Sequence, residues 1–167
     1  ANVVDVDVVT KMIELLGGHV ENEGHGTITI HAKSLKPANP NELHNVAGTS
    51  RIPILFAGPL LHRAGKAVLP ELGGCEIGKR PVDFHLHALG ELGAKEHDID
   101  GGYELVAKQL RGAKISLTYP SVMATEQVLL SAVLAKGVTE LSNAAVEPEI
   151  IDLICVLQKM GAIIAVD

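Results

Sequence analysis

Apolar positions along the chain follow two spacings in turn. Val9, Ile13 and Leu16 recur at helical intervals, as do Leu86, Leu89 and Leu92, and then Ile150, Leu153, Ile154 and Leu157. A stripe of this kind turns one face of a helix toward a core. Each stripe closes on a glycine, at Gly17, Gly93 and Gly161, where a left-handed residue ends a helix at little cost. The spacing then changes to two. His19 to Glu21 and Thr27 to His31 alternate around Gly24, and KEHDIDGGYELVA repeats the pattern around Gly101 and Gly102. Both segments predict antiparallel hairpins.

The recurrence is itself regular. The three glycines stand 76 and 68 positions apart, and an offset pair of helix–glycine–strand segments, around Gly65 and Gly137, is spaced by 72. A period near seventy residues marks repeated supersecondary units, each reading strand, helix, strand, helix, hairpin. Residues 1–49 fit the end of a first unit, 50–120 a second, and 121–167 the start of a third. The expectation is one partial α/β domain, cut at both ends, from a larger three-unit domain.

Composition narrows the function classes. Hydrophobic residues make up 47% of the 167 residues and aromatic ones only 2%, so the core must be aliphatic and base-stacking platforms for single strands are lacking. Fourteen Lys and Arg face twenty Asp and Glu, a net charge of −6. With no basic stretch, neither nucleic acid nor an anionic membrane is an expected partner. The two cysteines, Cys75 and Cys155, do not make a disulfide framework and suit a reducing compartment. No signal peptide is read at the N-terminus. The longest apolar stretch, residues 52–61, is broken by Pro53, Gly58 and Pro59, well short of the roughly 18 residues a membrane span needs. A soluble, cytoplasmic protein is expected.

Candidate chemistry is densest in LPELGGCEIGKRPVDFHL, residues 69–86. Gly73, Gly74 and Gly78 flank Cys75, and Lys79 and Arg80 follow closely. Nearby cations favour a thiolate, which makes Cys75 a candidate acid or nucleophile; the alternative is a small buried hydrophobe. Cys155, within ICVL, is assigned to the core. Arg80 and Pro81 precede the predicted helix containing Asp83, and a helix start beside a guanidinium is an anion site in waiting. Pro120, Ser121 and Val122 open another helix, where Ser121 can cap or contact phosphate. Arg51 stands before a third. These three helix starts could line one end of the domain. His85 and His87 resemble an HxH metal pair, but residues i and i+2 on a helix do not face each other; no metal or cofactor is expected. His19, His25, His31, His44, His62 and His97 read as surface or hairpin residues.

The runs GGCEIGKRPVDFHL, FAGPLLHRAGKAVLP, PSVMATEQVLLSAVLAKGVTEL, NAAVEPEIIDL and LQKMGA together resemble the UDP-N-acetylglucosamine 1-carboxyvinyltransferase family, from Asn2 to Val166. The resemblance implies an inside-out α/β barrel built from βαβαββ repeats, with helices inside and sheets outside. It also implies transfer of the enolpyruvyl group of phosphoenolpyruvate to the 3-hydroxyl of UDP-N-acetylglucosamine, the first committed step of peptidoglycan synthesis. On it, Cys75 matches the proton donor on a closing loop and Arg80 a residue near both substrates. Pro81, Val82, Asp83 and Phe84 match the uridine-binding stretch, Arg51 a nucleotide-sugar contact, and Tyr119, Pro120, Ser121 and Val122 the surroundings of the diphosphate. The chain departs from the pattern at several points. Glu71 and Leu72 lengthen the Cys loop, Met123 replaces a Gly where its side chain could crowd a phosphate, Val146 replaces an Arg, and Tyr119 stands where some members have Lys. The family's second domain, which supplies an aspartate base, is absent from these residues, so the chain alone is expected to be inactive. Two alternatives are a shikimate-phosphate enolpyruvyl transferase, which lacks the Cys loop, and a non-catalytic nucleotide-sugar-binding homologue.

Overall fold

A computed structural model describes residues 4–36, 38–47, 50–70 and 82–167. In chain order the elements are α1 (Val4–Leu15), β1 (His19–Gly24), β2 (Thr27–His31), α2 (Pro40–Ala47), a 3-10 helix (Ile52–Phe56), α3 (Ala57–Ala64), β3 (Lys66–Pro70), α4 (Asp83–Glu91), β4 (Lys95–Ile99), β5 (Gly102–Val106), β6 (Lys114–Ser116), α5 (Val122–Ala132), β7 (Glu140–Ser142) and α6 (Pro148–Lys159). The repeat is visible in this order. α1–β1–β2 and α4–β4–β5 are the same helix-plus-hairpin, and the glycines after α1, α4 and α6 all have positive φ, at 91°, 98° and 104°. Those values terminate the helices in the left-handed region as the spacing predicts.

Both predicted hairpins form, β1 with β2 from His19↔His31 to Gly24↔Thr27, and β4 with β5 from Lys95↔Val106 to Ile99↔Gly102. β5 also pairs antiparallel with β3, which makes a three-stranded sheet of order β3-β5-β4. β6 and β7 run parallel on either side of α5 in sequence, so hydrogen bonds tie residues 114–116 to the segment that follows them. Residues 162–167, beyond the third glycine, form no strand.

The main core is aliphatic, as the composition requires: Ile54, Leu60, Leu61, Leu69, Leu89, Leu92, Leu105, Leu110 and Val128 are all buried within it. α5 is the central helix, packed against the 3-10 helix, α3, α4 and α6. Gly58, in the first turn of α3, lies against Ser131 near the end of α5. A Cβ there would stand 2.1 Å from Ser131 Oγ and 3.0 Å from Ser131 Cα. His62, one turn on, makes a 2.6 Å contact from Nε2 to the Ser131 carbonyl, so Nε2 carries the proton and donates.

Three expectations are corrected. The inward stripe of α1 is Val8, Met12 and Leu16, rotated by one residue from Val9 and Ile13. The cause is α2, which the spacing did not reveal: its Leu43 packs with Val8 and Met12 in a second cluster. α2 carries its own start signal, since Asn39 accepts from the Asn41 N–H at 2.8 Å and Glu42 reaches back to the Asn39 N–H, a capping box followed by Pro40. Cys155 is exposed rather than core. With 100° between successive residues, Ile154 and Leu157 facing inward leave Cys155 and Val156 outside. His62 is a half-buried link between α3 and α5 rather than a surface residue. Met123 is partly buried and packs against the main core.

Gly58→Ala is expected to destabilise the protein by about 1–3 kcal/mol, because a methyl group cannot enter the α3–α5 contact without moving backbone. Urea unfolding midpoints of the two proteins measure it.

Candidate functional site

The predicted site residues fall in two groups around α4 and α5. Val82 is the N-cap of α4 and gives it no side-chain cap, leaving the helix's first amide groups without an internal acceptor from that side chain. Asp83 is the first helical residue and exposed, while the half-buried Phe84 packs on the main core. A short aromatic anchor thus fixes the helix start while its polar neighbour meets solvent. Arg51 occupies the N-cap position of the 3-10 helix without a side-chain cap, and its charge acts on His85, the third residue of α4. The first turn of α4 is thus within electrostatic reach of Arg51. Cys75, Arg80 and Pro81 lie outside the described residues, as do Glu71 and Leu72.

The second group is the start of α5. Ser121 caps it, its Oγ accepting from the Ala124 N–H at 3.4 Å, so the capping role is the one seen. Tyr119 and Pro120 are exposed before it, Tyr119 at 63%, and Val122 packs toward the small cluster of Ala145, Ile150 and Ile154. Thr125 holds the next loop, donating to the Ser121 carbonyl at 2.9 Å and accepting from the Ala145 N–H at 3.0 Å. Val146 is exposed just beyond.

Sequence reasoning missed the polar residues buried between these groups. His85, Thr125, Gln127 and Ser131 are each 3% exposed or less. Gln127 Nε2 donates to Ser131 Oγ at 3.0 Å, and Ser131 Oγ donates to the Gln127 carbonyl at 2.7 Å. His85 Nδ1 and Gln127 Oε1 are buried without a hydrogen bond. The signal was present: His85 shares the stripe of Ala88, Leu89 and Leu92, and Gln127 and Ser131 share that of Ala124 and Val128. His85 is buried and His87 exposed, so the two imidazoles point to different faces of α4. Among the described residues no three His, Cys, Asp or Glu side chains are grouped to hold a metal ion.

Burial, reinforced by the Arg51 charge, pushes the His85 pKa down to about 4. The ring is neutral at physiological pH. Glu126, half-buried on α5, is shifted upward by burial and by the Glu149 charge.

The architecture is mixed α/β, with helix-plus-hairpin repeats and a central α5. Among solved structures the fold is similar to the enolpyruvyl transferase NikO from Streptomyces tendae, with TM-score 0.78, 23% identity, and 99% of this chain and 38% of that one covered. It is also similar to EPSP synthase from Acinetobacter baumannii, with TM-score 0.73, 20% identity, and 100% and 38% covered. The family model described as EPSP synthase (3-phosphoshikimate 1-carboxyvinyltransferase) matches residues 1–167, and the chain belongs to that family. Among curated relatives, the UDP-N-acetylglucosamine 1-carboxyvinyltransferase of Protochlamydia amoebophila is 42% identical, covering 99% of this chain and 37% of its own length. Those of Nitratidesulfovibrio vulgaris and Treponema denticola are each 44% identical over 95% of this chain, and 37% and 36% of theirs. The chain thus spans less than half the length of these relatives.

The neutral His85 sets a pH dependence. Its folded pKa lies below its unfolded one, so the unfolded state binds the extra proton and stability falls as pH drops from 6.5 to about 4. The expected loss attributable to this group is about 3 kcal/mol at the lower end. Glu126 acts in the opposite sense, so the difference between the unaltered protein and His85→Asn isolates the histidine. Denaturant midpoints measured from pH 7.5 to 4.5 should fall less steeply in the variant.

Proposed function

We propose that the protein of which this chain is part transfers the enolpyruvyl group of phosphoenolpyruvate to the 3-hydroxyl of UDP-N-acetylglucosamine, releasing phosphate, as the first committed step of peptidoglycan synthesis. The observation that carries this reading is 41–44% identity to enzymes of that name along 95–99% of the chain. The resemblance to the shikimate-specific enzyme is at 20% identity and supports the fold alone. Among the described residues no helix is long and apolar enough to cross a membrane, which agrees with a cytoplasmic enzyme acting on small soluble substrates. The length of the relatives supports a second domain of the same protein closing the site.

The chemistry requires a proton on the methylene carbon of phosphoenolpyruvate, which makes its neighbouring carbon electrophilic, and loss of one from the sugar hydroxyl. The resulting tetrahedral ketal loses a methyl proton and expels phosphate, giving the enol ether. Cys75 is the proposed donor of the first proton. Arg80 and Arg51 are proposed to hold anionic oxygens beside the start of α4, where the helix dipole adds its positive end. Pro81, Val82, Asp83 and Phe84 are assigned to the uridine, and Tyr119, Pro120, Ser121 and Val122 to the diphosphate. Gln127, beside the first turn of α4, lies six residues beyond Ser121, about 9 Å along α5. An extended ligand carrying a base, a diphosphate and a sugar suits two anchor groups at that separation.

In the full-length protein, phosphate release is expected only when both substrates are present, and Cys75→Ala is expected to lower kcat by at least a hundredfold. A folded full-length protein without turnover would instead favour the non-catalytic binding homologue. Fosfomycin, an epoxide that alkylates the family's reactive thiol, should add its mass to Cys75. Because Cys155 is exposed, its failure to react would show that the difference is one of reactivity and not of access.

A further inference from the structure

Three buried polar side chains in an aliphatic interface need a reason, because an unpaired buried nitrogen or oxygen costs about 1–3 kcal/mol. His85 and Gln127 each leave one such atom unpaired, Nδ1 on α4 and Oε1 on α5, and the two side chains are neighbours. The atoms are complementary. A neutral imidazole protonated on Nδ1 is a donor, and an amide oxygen is an acceptor. Ring torsions of histidine are broad and soft, so a small rotation pairs them. Beyond Gln127 the polar chain continues through Ser131 Oγ, and the Ser131 carbonyl receives the His62 ring nitrogen. The observed contacts join α5 to α3, and pairing of His85 with Gln127 extends the line to α4.

We propose that His85 is a positioning residue, which holds the first turn of α4 at a fixed rotation on α5 through Gln127 and thereby sets the affinity of the nucleotide-sugar site. Apolar packing alone leaves two helices free to slide and rotate by small amounts, whereas a directional hydrogen bond in a dry interface does not. Asp83 and Phe84 lie one and two residues ahead of His85, on the same helical turn, so rotation of α4 moves them together. A neutral ring also lets the Arg51 guanidinium stand close by without repulsion from a second cation. This inference rests on the function proposed above, since it is that function which makes the start of α4 a binding surface.

The test uses the full-length protein, with the dissociation constant for UDP-N-acetylglucosamine from calorimetry and kcat from phosphate release. His85→Leu is expected to weaken binding about tenfold while leaving kcat within about twofold. His85→Asn, which places an amide N–H where Nδ1 stands, should restore binding to within about threefold of the unaltered protein. Gln127→Leu should reproduce the His85→Leu loss from the other helix, and the double variant should bind no worse than either single one. Equal losses in the Asn and Leu variants, or multiplying losses in the double variant, would overturn the proposal in favour of a packing role. If His85→Leu does not fold, the Asn and Gln127 variants decide the matter between them. Absence of nucleotide-sugar binding by the unaltered protein would overturn the functional reading and this inference with it. Binding that survives intact in the Leu variants would overturn the inference alone.

Discussion

The close approach of α3 and α5 at Gly58 and Ser131 is the contact on which the arrangement of helices depends. With no side chain at position 58, the backbone of α3 comes near enough for His62 to reach the Ser131 carbonyl. That carbonyl belongs to the last turns of α5, whose outer acceptors would otherwise need water. α5 can then be buried by several neighbours at once, the 3-10 helix, α3, α4 and α6. A helix surrounded in this way has no exposed face; of its buried polar side chains, Gln127 and Ser131 bond to each other, and Thr125 ties the loop at Ala145.

Electrostatics in this protein works by placement rather than by quantity. The chain is acidic overall, at −6, yet the Arg51 charge reaches the first turn of α4, whose N-cap Val82 gives no side-chain cap. A local positive charge near a helix terminus acts on small anions without making a broad basic surface. The ion pairs elsewhere are peripheral. Lys114 and Glu140 meet at 2.9 Å across the parallel pair β6–β7, largely in solvent, and Lys66 pairs with Glu104 across β3 and β5. The exposed Lys114–Glu140 pair contributes little to stability, whereas Lys66 and Glu104 are half-buried.

Much of the candidate site was legible because its residues stand at helix starts, and helix starts have local signatures. The start of α4 could be read from Pro81 and Asp83, and that of α5 from Ser121. Their neighbourhood could not be read, since nothing local says that the Arg51 charge reaches the first turn of α4, or that Gln127 of α5 lies beside His85. The histidines show the same division. His85 and His87 look alike in VDFHLH, and only the docking of α4 on α5 makes one a buried neutral ring and leaves the other in solvent. Cys155 was misplaced for a related reason: ICVL is apolar throughout, and a helix in contact on one side can bury only part of such a run.

What the sequence determined by itself was the repeat near seventy residues, the positive-φ glycines that end the helices, the two hairpins and the aliphatic nature of the core. All of these depend on residues within a few positions of one another, where spacing and backbone preference suffice. Only the tertiary structure decided which way α1 is rotated, that α2 covers it, that His62 is a helix-to-helix link, and that Gln127 and His85 meet. Those outcomes depend on which surfaces dock. Docking is governed by close-packed shape and by the pairing of buried polar atoms across long sequence separations, and neither leaves a periodic mark along the chain.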